Sequence, residues 1–190
     1  FAVTRGNRTV ERYDVLRSEL SGSIDGVGYA PRGLVLSPDD RFLFVDAYLS
    51  REVVAYDVTS FVDDPAPIGR ARIMASEPLP DPILRGHQLF DDSADPQLAR
   101  DGYVACAHCH LDGESDRLTW DFTDRGEGMR NTVSLLGTAA AHGPIHWSGN
   151  FDEVQDFEHD IRGPFQGTGL MRDADYETGP RSTTLGDPKA

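Results

Sequence analysis

Pro31-Arg32-Gly33-Leu34-Val35-Leu36-Ser37-Pro38-Asp39-Asp40-Arg41-Phe42-Leu43-Phe44-Val45 reads as strand, turn, strand. Apolar, β-branched and aromatic runs flank Ser-Pro-Asp-Asp, whose small polar side chains and proline favour a reversal of the chain. Working outward, the chain repeats itself. Phe1 to Val15 (FAVTRGNRTVERYDV) lies without gaps on Phe44 to Val58 (FVDAYLSREVVAYDV) at an offset of 43 residues, with Phe, Arg, Val and Tyr-Asp-Val in register. A period of roughly 40 to 45 residues built from short strands is the signature of a β-propeller blade, one small sheet covered by its neighbours. Fewer than two such blades are present, whereas propellers close with about four to eight. The expectation is a piece of a longer protein with further blades, or strands that pair with another chain. The plainer alternative is an ordinary small antiparallel sheet with a chance repeat.

This stretch resembles the YVTN-type propeller repeats of bacterial surface and periplasmic proteins over about 60 residues. Composition changes just beyond it. Ser76-Glu77-Pro78-Leu79-Pro80-Asp81-Pro82 places three prolines in seven residues and reads as a linker. Nine basic residues oppose thirteen acidic ones in residues 1–82, and nine oppose nineteen in 83–190, so the halves carry −4 and −10 of the total −14. With a single lysine, Lys189, beside seventeen arginines and no basic cluster, nucleic acid is excluded as a partner. No apolar run approaches the roughly 20 residues that a membrane span needs. The chain begins at Phe1 without a leader and reads as a mature or trimmed product.

The only two cysteines, Cys106 and Cys109, stand in Cys106-Ala107-His108-Cys109-His110. C-x-x-C-H is the attachment pattern of haem c: two thiols about one helical turn apart each form a thioether to a haem vinyl group, and the next residue offers its imidazole to the iron. His110 is the expected proximal iron ligand. A structural zinc site would need a second ligand pair, and a thioredoxin-like pair would need a βαβ context; neither pattern is present. The remaining alternative is two unlinked buried cysteines beside a surface histidine. Covalent haem attachment in bacteria takes place outside the cytoplasm, so a periplasmic, extracellular or cell-surface location follows.

Around the motif the sequence resembles the N-terminal haem domain of the bacterial di-haem cytochrome c peroxidase family and its methylamine-utilisation relatives. Arg85-Gly86-His87-Gln88-Leu89-Phe90-Asp91 looks like the family's G-x-x-L-F-x-D segment, Arg130-Asn131-Thr132 through Leu135-Leu136 like R-N-x-P-x-L-L, and Pro144-Ile145-His146-Trp147-Ser148-Gly149 like apolar-F-W-D-G. The resemblance implies one covalent haem c per chain, a peroxidase-type oxidoreductase or an electron-transfer protein, and a second haem domain or redox partner protein. It also implies an electron path through Trp147, a haem propionate held by Arg130, and a calcium ion for which Asp112, Glu114, Asp116 and Asp121 supply oxygens. Against the calcium ion, acidic surface loops ordinarily bind nothing specific and no EF-hand pattern is present. Leu170 stands where the family has the glutamate that helps cleave peroxide, which weakens a direct transfer of peroxidase activity. The alternative function is a non-catalytic surface or binding protein, with a propeller scaffold and an electron-relay haem.

The sixth iron ligand separates relay from peroxide chemistry, since a saturated iron suits electron transfer and an open one binds small molecules. The candidates, in order, are His146, Met171 and Met129, with His142 a further distal group. Asn150 with Glu153 reads as a capping box for an amphipathic helix over 152–162, its apolar face made of Phe151, Val154, Phe157 and Ile161 and His159 opposite. Residues 172–190 show no closing helix, and more chain is expected after Ala190. The fold class expected is mixed and in two parts: partial β-propeller blades over 1–75, a linker at 76–83, and a mainly α, cytochrome c-like haem domain over 84–190.

Overall fold

The computed structural model describes residues 1–60, 62–137, 145–151 and 154–178. The chain divides into two compact units, Phe1–Ala94 and Asp95–Ala190. In the first, seven strands form two antiparallel meanders. Strands β1 (Ala2–Thr4), β2 (Thr9–Asp14) and β3 (Glu19–Ile24) make a three-stranded sheet in that order. The second sheet is four-stranded, with β4 (Pro31–Leu36), β5 (Phe42–Ala47), β6 (Glu52–Asp57) and β7 (Gly69–Arg72).

Strands β4 and β5 occupy the stretch read as strand, turn, strand. Their turn is closed by the Ser37 amide on the Phe42 carbonyl at 2.8 Å and by the Phe42 amide on the Ser37 hydroxyl at 3.0 Å. The internal repeat is a repeat of structure too: β2 shifted by 43 residues is β6, Glu52–Asp57. Alternation then decides the core. Leu43, Val45 and Ala47 of β5 and Val54 and Tyr56 of β6 point inward with Val10, Ile24, Val27 and Val58. Each valine, leucine or isoleucine side chain among them, taken from water, contributes about 1.5–3 kcal/mol.

After β7 the proline-rich segment is tied back to the sheet. The Arg51 guanidinium donates to both Glu77 carboxylate oxygens, at 2.8 and 3.1 Å, and Glu77 also accepts from the Leu79 amide. Helix α1 (Asp81–Asp91) starts where Pro82 can sit in its first turn without losing a helical hydrogen bond. It packs within the first unit: Gln88 donates to the Leu49 carbonyl, Arg85 to the Tyr29 hydroxyl, and Asp91 and Asp92 pair with Arg5 and Arg8 at 2.6 and 3.2 Å.

The second unit corrects the expected fold class. It contains the one-turn helix α2 (Cys106–Cys109), a hairpin of β8 (Thr119–Phe122) and β9 (Gly128–Asn131), and the six-residue helices α3 (Phe157–Arg162) and α4 (Asp173–Thr178). Small antiparallel sheets dominate and 22% of the chain is helical, so among the described residues there is no mainly α haem domain and no closed propeller. The physical reason lies in chain punctuation. Gly113, Gly126, Gly128 and Gly137 all adopt positive φ and break the segment after the cysteine motif into turns. Two sheets cannot close a ring that needs about four or more blades.

The amphipathic helix read over 152–162 appears as a 3-10 turn at Val154–Asp156 followed by α3, with Asp152 and Glu153 outside the described residues. Phe151 and Ile161 are buried, but Val154 is 60% exposed, and Asp156, Glu158 and Asp160 are buried instead. Helix α4 also lies where no helix was expected.

Candidate functional site

Helix α2 is a single turn. Ala105 enters it extended, and its amide donates to Nδ1 of His108 at 2.7 Å. Ala105 and Ala107 are buried, and the thiols of Cys106 and Cys109, not joined in a disulfide, are half-buried one turn apart. Burial, and secondarily the nearby Asp116, pushes the Cys109 thiol above its ordinary value, so it is protonated at neutral pH. The His110 amide closes the turn on the Cys106 carbonyl at 3.0 Å.

The imidazole of His110 places Nδ1 3.0 Å from the Val133 carbonyl. A carbonyl can only accept, so the neutral ring carries its proton on Nδ1 and a lone pair on Nε2. Burial lowers the His110 pKa, which keeps the ring neutral, the form a metal requires. Val133 is brought there by a mesh of backbone bonds: Asp116 amide to Cys109 carbonyl at 2.9 Å, Leu135 amide to Gly113 carbonyl at 2.8 Å, and Thr132 amide to Leu118 carbonyl at 3.4 Å.

His146 stands in a tight loop whose ends are paired through the Ile145 amide and the Phe151 carbonyl at 2.7 Å. The loop is tied to β9 by the Trp147 indole, which donates to the Asn131 carbonyl at 2.6 Å. Asn131 is two residues from Val133, so one short segment touches both histidine neighbourhoods. His146 is also among the groups that act on the charge state of His110. Trp147 is 62% exposed.

The other expected site residues are dispersed. Met129, 59% exposed, lies on β9 beside Arg130, whose Nη1 donates to the Met129 carbonyl. Met171 lies where its amide and carbonyl meet Glu158 and Arg162. His159 bonds the Tyr176 hydroxyl at 3.0 Å, and His142 lies outside the described residues. Among the described residues no three His, Cys, Asp or Glu side chains are grouped to hold a metal ion, so Asp112, Glu114, Asp116 and Asp121 do not form a calcium cage there. Asp116 instead accepts from the Leu118 amide and the Trp120 indole, and Asp121 from Thr123.

These residues fit a covalently attached haem. The two thiols have the spacing, His110 has the tautomer and the neutral charge, and large apolar side chains near the motif are left open: Leu111, Leu118, Trp120 and Leu136 are all exposed. Sequence reasoning missed Val133, which acts through its main chain and offers no side-chain signal, and it read Asn150 as a helix cap.

Compared with protein-family models, curated proteins and solved structures, the chain matches none. Among the described residues no helix is long and apolar enough to cross a membrane.

Proposed function

We propose that this chain is an extracytoplasmic c-type haem protein that transfers electrons, with Cys106 and Cys109 as the thioether cysteines and His110 as the proximal iron ligand. The observation that carries the reading is the Nδ1 contact of His110 with the Val133 carbonyl, directly after two thiols on one helical turn. Metal-binding histidines almost always donate their second ring N–H in this way, which fixes the ring and raises its basicity. Haem supplies reversible one-electron exchange when bound. The chain's own residues would anchor it through the Cys106 and Cys109 side chains, while the Val133 carbonyl orients the His110 imidazole. His146 would fill the sixth position, which suits electron relay better than peroxide cleavage, as does Leu170 in place of an acid.

The resemblance of residues 84 to 171 to the di-haem peroxidase superfamily belongs to this proposal, with Trp147 on the electron route to a partner protein or second haem domain. The test is the full chain matured with haem in a bacterial periplasm. The expected product keeps one haem after denaturation and gives a sharp low-spin reduced spectrum unmoved by carbon monoxide. A Cys106→Ala/Cys109→Ala double variant is expected to lose it. Wild-type protein without bound haem would overturn the assignment, and a high-spin spectrum that shifts under carbon monoxide would move the function to peroxide or small-ligand chemistry.

A further inference from the structure

His146 adopts φ +67°, in the left-handed region that a residue bearing a Cβ rarely enters. Such a conformation costs free energy and persists where its surroundings over-determine it, commonly at functional sites. Here the surroundings are specific. Nδ1 of His146 lies 2.9 Å from Oδ1 of Asn150. Its ring lies 4.5 Å from the buried Phe151 ring and meets Phe157 edge-on at 5.2 Å. The Gly149 amide bonds the His146 carbonyl at 3.3 Å, and the Ile145–Phe151 pairing closes the loop around it. An amide oxygen accepts and cannot donate, so Asn150 holds the proton on Nδ1 and leaves the lone pair on Nε2. This is the relation that Val133 bears to His110, made by a side chain instead of a carbonyl of the main chain.

We propose that Asn150 is a positioning residue for a bis-histidine iron site: it fixes the tautomer and direction of His146, which the left-handed turn and the two phenylalanines aim, and so sets how firmly the sixth position is held. The proposal rests on the haem reading above. The Trp147 bond to Asn131 supplies the mechanical link, because Asn131 and Val133 belong to one segment and a shift of either loop is felt by both imidazoles. Outer partners of metal-ligating histidines typically change metal affinity by about 10–100-fold when removed.

The experiment compares wild type, His146→Ala, Asn150→Leu and Asn150→Asp as full-length, haem-loaded chains, by near-infrared magnetic circular dichroism, carbon monoxide affinity and reduction potential. Wild type is expected to show bis-histidine ligation, and His146→Ala to become high-spin and bind carbon monoxide. Asn150→Leu should hold the sixth ligand about 10–100-fold more weakly, so that carbon monoxide, which leaves the wild-type spectrum unmoved, binds to the variant. Asn150→Asp, which keeps an acceptor for Nδ1 and adds charge, should restore the low-spin spectrum at a more negative potential. A low-spin His146→Ala would overturn the ligand assignment while leaving the haem reading intact, and an Asn150→Leu protein identical to wild type in affinity and potential would overturn the positioning role. Wild type that takes up no haem would overturn both readings.

Discussion

At Glu158, 4% exposed, one carboxylate accepts from Arg162 Nε at 2.7 Å and from the amides of Leu170 and Met171 at 3.0 and 3.1 Å. Gly169 adopts φ +86° beside this cluster, where a methyl group would run into Glu158 and Arg162. Glu158→Ala takes one of two carboxylates from the Arg162 guanidinium, which keeps Asp173 at 2.9 Å and the Met171 carbonyl, and leaves two amides without their acceptor, a loss of about 1–3 kcal/mol for each buried group left unsatisfied; urea unfolding of the variant against wild type measures it. The burial of Glu158 was not legible, because a carboxylate goes inside only where partners from a distant segment arrive to meet it. Val133 teaches the same point at the site. Since its carbonyl and not its side chain meets His110, Val133→Ala is expected to leave the axial-ligand spectrum of haem-loaded protein unchanged, whereas His110→Ala should abolish it.

Strands β5 and β6 were legible because their burial alternates with a period of two, the periodicity a half-buried strand imposes, and β4 because the Ser-Pro-Asp-Asp turn bounds it. Of the short helices, α3 lies within the helix read over 152–162, whereas α4 was not legible. Helix α2 is a single turn, far below the length at which a helix is stable by itself, so it forms because the loops around it accept its ends. The clasp on the proline-rich segment allows a pH test. The Arg51 hydrogen bonds hold the Glu77 carboxyl below its ordinary value of 4.5, so the folded state gains stability from this pair above that value. The gain is lost as pH falls through the lower, folded value. Glu77→Gln should therefore lose stability near neutral pH yet show a shallower acid decline, read from urea midpoints between about pH 3 and 6.

For the molecule as a whole, a net charge of −14 sets how partners approach. A basic redox protein should associate quickly at low salt, and its association rate should fall steeply as ionic strength rises, because the Debye length shrinks to about 10 Å at 0.1 M. Stopped-flow electron transfer with basic and acidic small cytochromes checks this; equal salt dependence for both would exclude electrostatic steering. Helix α1 belongs with the sheets of the first unit, because Asp91 and Asp92 find their arginines there.

By itself the sequence determined what is carried by local spacing: the strand and turn over residues 31–45, the 43-residue repeat that reappears as β2 and β6, and the one-turn separation of the thiols with a histidine after them. Only the tertiary structure decided which carbonyl meets His110, which amide oxygen holds His146, and that the second unit is a set of short helices and a hairpin. Hydrogen bonds between segments 23 residues apart, like that of His110 with Val133, and carboxylates buried by remote partners leave no periodicity in the chain, because their free energy depends on three-dimensional encounter.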